Sequence, residues 1–149
     1  MNPAAQDAFR DLLLTVVGQA FSAAGYQLEE LPLKWAGGQF RFSSQLGNGL
    51  TATIEFQHLP YADTEWSSGV PSRFRVTLLR SDGVRRDLSA LVVEDFGVAI
   101  VPSGKHWWTY HDVQSLGRAL GEAGSLAVAY GMPWLAGDLS PDGERSDES

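Results

Sequence analysis

The chain of 149 residues contains no cysteine, which removes disulfides, thiolate-held metals and cysteine nucleophiles from consideration together. Basic residues are also scarce, 11 lysines and arginines against 18 aspartates and glutamates, for a formal charge of −7. Such a balance gives no electrostatic footprint for a phosphate backbone and no basic helix for an anionic lipid surface. Neither nucleic acid nor membrane is expected as a partner. No apolar run reaches 18 residues, and Asp7, Arg10 and Asp11 interrupt the N-terminal segment where a secretory leader would be continuously apolar. A cytoplasmic location is the expectation. There is no G-x-S-x-G elbow, and Pro102-Ser103-Gly104-Lys105 fails as a phosphate loop, because six residues separate Gly97 from Gly104 and His106 follows the lysine. No cofactor is implied.

What is present is a composition suited to one packed core, 44% hydrophobic and 11% aromatic over a length that single domains commonly fill. Residues 137–149 carry five acidic side chains against Arg145, a net of −4, without apolar periodicity. We read residues 1–136 as one α+β domain and 137–149 as an acidic, disordered tail.

Phe9, Leu12, Leu13, Val16, Val17, Ala20, Phe21 and Ala24 follow the 3–4 spacing of a helix face, with Gly25 as its stop. The period then changes to two: Phe40 and Phe42, Leu50 to Phe56, and Phe74, Val76 and Leu78 alternate with polar neighbours, as strands of an antiparallel meander. Gly37-Gly38 and Asn48-Gly49 suit tight turns between them. Tyr26 and Leu28 are apolar on even positions, but Leu31, Leu33 and Trp35 on odd ones, which predicts a first strand shifting phase near Pro32, with a bulge or an edge strand there. Residues 60–71 form the longest irregular connection, and residues 84–101 fit strands somewhat better than a helix. Val113, Leu116, Leu120, Ala123, Ala127 and Tyr130 mark a second helix, capped by Asp112 and closed by Gly131. Five to six strands with a wet face of Gln39, Arg41, Ser43, Glu55, Gln57, Arg73 and Arg75 need cover on the other face only. The two helices supply it, giving a two-layer α+β sandwich.

The order helix, meander, aromatic strand Trp107-Trp108-Thr109-Tyr110, helix, then Pro133-Trp134-Leu135 resembles small uncharacterised bacterial helix–sheet–helix domains of unknown function. The resemblance implies the fold and carries over no activity and no site residue.

Candidate functional residues fall into four groups. Tyr61 and Trp66 of the long loop, with Trp107 and Trp108, are the partner-binding candidates; adjacent strand residues face opposite ways, so only one of Trp107 and Trp108 points into the core. Arg41, Arg73, Arg75 and His58 are candidates for a ligand or anion, with Glu55 as the simpler partner of the arginines. Gly117, Gly121 and Gly124 form a stripe permitting close approach, by the sheet or by a second copy in a homodimer. His106, His111 and Asp112 are close in sequence, but a spacing of five separates the histidines on strand or helix, so no metal site is expected. The reading these residues favour is a non-enzymatic protein-interaction module, chaperone-like or immunity-like by analogy. The alternative is a small-ligand binder or hydrolase with a pocket between sheet and helices, using His58 or His106 with a carboxylate.

Overall fold

The computed structural model of the chain describes residues 3–60 and 72–141. The first helix forms where the sequence places it: α1 (Pro3–Leu13) continues through a π-helical turn (Leu14–Gly18) into α2 (Gln19–Ala23). Its inner face is Gln6, Phe9, Leu13, Val17 and Phe21, all buried. Gly25, at φ +91°, then turns the chain into a sheet, in a left-handed conformation that favours glycine.

Six antiparallel strands follow: β1 (Gln27–Leu28), β2 (Gln39–Gln45), β3 (Thr51–Leu59), β4 (Ser72–Arg80), β5 (Arg85–Asp87) and β6 (Trp108–Tyr110). β1 to β5 lie in sequence order, as a meander requires, and β6 also pairs with β4. β5 and β6 therefore share one lane. β5 lies opposite Thr77 to Leu79 and β6 opposite Ser72 to Phe74, so Arg75 and Val76 meet neither strand.

The even-numbered residues Phe40, Phe42, Ala52, Ile54, Phe56, Phe74, Val76 and Leu78 form one buried sheet face, which shares a single core with the inner faces of the helices. α5 (Val113–Leu126) is the second covering helix, and Leu116, Leu120, Ala123 and Leu126 are its buried side. Asp112 accepts from the Ser115 amide at 2.7 Å while the Ser115 hydroxyl accepts from the Asp112 amide at 3.1 Å, a reciprocal cap on two otherwise unpaired donors. The two-layer sandwich is as expected.

Four local expectations are corrected. Leu31 to Trp35 do not extend β1 past a bulge: Pro32 opens a short helix, α3 (Pro32–Ala36), its fixed φ suiting the first helical turn. Leu33 consequently stands 91% exposed while Trp35 packs beside Phe40. Gly37-Gly38 thus joins a helix to a strand. Residues 88–95 are helical, α4 (Leu88–Ala90) running into a π turn (Leu91–Asp95) with Leu88, Leu91 and Val92 in the core. The run Ala90 to Val93 reads equally as strand or helix because it is buried on nearly all sides. Val113, assigned to the apolar face of α5, is 74% exposed in its first turn. Gly131 does not end the last helix: the chain passes through a π turn (Ala127–Gly131) into α6 (Met132–Leu135), and the left-handed glycine is Gly137, at φ +83°.

Candidate functional site

Trp107, immediately before β6, and Trp108, its first residue, point to opposite sides of the sheet. Trp108 is 4% exposed, stacks on Phe74 with ring centres 5.6 Å apart, and donates its indole N–H to Glu122 at 2.7 Å. It is a core residue and offers almost no surface to a partner. Trp107 takes the opposite side of the sheet, where the guanidinium carbons of Arg73 and Arg75 each lie 4.9 Å from its ring centre. Cations over an indole face are attracted by its quadrupole. Tyr61 and Trp66 lie outside the described residues.

The helix-free face is laid out by register. Arg41 is opposite Glu55 and bonds it at 2.8 Å; Glu55 is opposite Thr77, and Gln57 is opposite Arg75. Thr77 donates to Asp87 on β5 at 3.3 Å. Arg41 is therefore committed to Glu55, the simpler partner foreseen for it. Arg73 and Arg75 are different: neither has a carboxylate within ion-pair distance among the described residues, and the buried Nε of each has no hydrogen-bond partner. A buried donor without a partner costs about 1–3 kcal/mol, so among the described residues these two arginines are the cations of the face left without a carboxylate. Elsewhere Arg10 stacks on Trp35 at 5.0 Å, but Asp7 and Asp11 neutralise it.

His58 belongs to neither this face nor any cleft. It is fully buried, its ring stacked on Phe9 with centres 4.0 Å apart. A neutral imidazole satisfies both neighbours at once: Nδ1–H donates to the Gln6 amide oxygen at 2.7 Å, and Nε2 accepts from the Tyr110 hydroxyl. Ser72 hydrogen-bonds the Tyr110 oxygen in turn. Burial lowers the His58 pKa to about 4, because an imidazolium here would lose its hydration. This is a structural lock joining α1, β3, β4 and β6. His58 therefore lies on the core side of the sheet, apart from the three arginines of the polar face.

His106 and His111 also part. His111 is exposed, 3.6 Å from Asp112, whereas His106 packs edge-on against Trp108 with centres 4.8 Å apart. Among the described residues no three histidine or carboxylate side chains are placed to hold a metal. In the glycine stripe, a Cβ on Gly124 would sit 2.7 Å from Val17 Cγ1, so the close approach is made by the N-terminal helix, not by the sheet. Gly117 and Gly121 face open space. An apolar groove of about 400 Å³ runs beside the stripe between Val16, Ala20, Gly121 and Val128. It carries no titratable side chain.

Sequence reading missed the cleft that the split β5/β6 lane opens. It has a volume of about 270 Å³ and is lined by Arg75, Asp87, Ser89, Lys105, His106 and Trp107. The Ser89 hydroxyl spans its floor, donating to the Gly104 carbonyl at 3.0 Å and accepting from the His106 amide at 3.2 Å. Only the return of residues 104–107 to the β4 edge brings these side chains together, and no local spacing encodes that return.

No family model, curated protein or solved structure matches this chain.

Proposed function

We propose that the chain is a non-enzymatic binding module that recognises an acidic segment of another protein through its helix-free sheet face, with Trp107 at the centre and Arg73 and Arg75 beside it. The observation that carries this reading is the pair of guanidinium groups held against Trp107, each with a buried Nε lacking a hydrogen-bond partner. Stacking on Trp107 already restrains both side chains, so less of their rotamer entropy remains to be lost on binding. Partner carboxylates supply a counter-charge that neither guanidinium finds among the described residues, and tryptophan and arginine are the residue types that dominate interface energies. The hydrolase alternative has less support, because His58 reaches no surface, the groove beside the glycine stripe offers Ser125 with no acid or base beside it, and the Ser89 hydroxyl near His106 is already committed to the Gly104 carbonyl.

The test is capture of partners from the source cell on the purified chain and on a folded Arg73→Gln, Arg75→Gln double variant. The expected result is a stoichiometric acidic protein retained by the native chain, released by salt and lost from the variant. Identical retention by both chains contradicts the reading.

A further inference from the structure

The cleft between β5 and β6 is distinct from the Trp107 face, although Arg75 and Trp107 border both. The geometry points to a site for a small tetrahedral dianion, the phosphate group of a free phosphorylated compound, held by Arg75, Lys105 and His106. The cleft exists because Arg75 and Val76 of β4 meet neither β5 nor β6. Its walls are built: Ser89 ties the Gly104 carbonyl and the His106 amide together, and a side chain at Gly104 would collide with the Glu94 carboxylate. Its volume, about 270 Å³, accommodates a phosphate together with a few attached atoms.

Charge selects the ligand. Within the lining, Arg75 and Lys105 bring two positive charges against one carboxylate, Asp87, whose oxygen already accepts from Thr77, while Glu94 beside Gly104 is paired with Arg86. Arg75 lines the cleft and has no carboxylate within ion-pair distance among the described residues, and a phosphate group is a strong charged acceptor for a guanidinium. His106 is the third donor. Burial lowers its pKa, with Glu122 opposing that shift, so the ring takes up a proton less readily than a free imidazole. A dianion beside it reverses that preference, and proton uptake by His106 then brings the net charge of the lining to +2, matching the ligand.

Sodium sulfate, a dianion that does not titrate near neutral pH, is the probe, added at ionic strength matched with sodium chloride while the ring protons of His106 and His111 are followed by NMR. The expected result is a saturable shift of His106 with a raised pKa, no comparable shift of exposed His111, and about tenfold or greater weakening in both Arg75→Gln and Lys105→Gln. Lys105 is exposed, so its variant keeps the test intact should Arg75→Gln fail to fold. Parallel, non-saturating shifts of both histidines, or saturation unchanged in Lys105→Gln, overturn the proposal. Its failure leaves the protein-binding reading standing, because that reading is tested by retention of a macromolecular partner and on Arg73 as well as Arg75, whereas Lys105 and His106 belong to the cleft alone.

Discussion

At the scale of single residues, the most consequential placement is His58. A neutral histidine is satisfied there and a charged one is not, so the pH dependence has a definite sign. The folded-state pKa of about 4 lies below the unfolded value of about 6.5, so the unfolded chain binds the proton first as pH falls. The His58 contribution is therefore complete above about pH 6.5 and is lost progressively down to about pH 4. Between pH 7 and 4.5 the native chain should lose about 2–3 kcal/mol from this group, measurable as a fall in the urea midpoint, and a folded His58→Gln variant should show a correspondingly shallower acid slope. An equal acid slope in both would remove the lock from the account. Gly38 presses on the same lock: at φ +85° it brings its backbone against the His58 carbonyl. Gly38→Ala should cost at least about 1–3 kcal/mol by thermal unfolding, from the strained backbone and the collision together. The strand parity of His58 was readable in the sequence. Its partners were not, because Gln6 and Tyr110 are each 52 residues away, and only the Gln6 position, three before Phe9 on the apolar helix face, hinted that this amide is buried.

At the scale of elements, long segments with one apolar face were legible and short segments buried all round were not. Phe9 to Phe21 and Leu116 to Leu126 repeat over several turns, and Phe40 to Leu78 alternate, so helices and meander follow from periodicity. Leu31 to Trp35 and Leu88 to Asp95 are single turns or little more, in which tertiary packing decides the conformation. The glycine stripe shows the same division. Its spacing was visible, yet the structure gives its members different roles, because only Gly124 faces Val17. Gly124→Ala should destabilise by about 1–3 kcal/mol as the two helices are pushed apart, whereas Gly117→Ala and Gly121→Ala, facing open space, should each stabilise by up to about 1 kcal/mol through helix propensity. Thermal unfolding of the three variants checks this; three equal effects would mean that the Val17 contact carries no energetic weight.

At the scale of the whole molecule, the sheet divides the chain into two unlike halves. One side is a shared core of helix and strand side chains; the other is a register-built polar face on which Arg41 and Glu55 neutralise each other while Arg73 and Arg75 flank Trp107. The alternation of residues 107 and 108 already implied that one tryptophan leaves the core. Which one it is, and that it meets two arginines, depended on the β6 pairing with β4 after a departure of some twenty residues. Under the proposed function, recognition belongs to the Trp107 side of the sheet and stability to the Trp108 side. The most direct test compares Trp107→Ala and Trp108→Ala for denaturation midpoint and for association with the partner captured by the native chain. The account predicts that Trp107→Ala unfolds within about 1 kcal/mol of the native chain and no longer binds, while Trp108→Ala loses about 3–5 kcal/mol. A Trp107→Ala chain that binds as the native protein does, or that is destabilised as severely as Trp108→Ala, would contradict it.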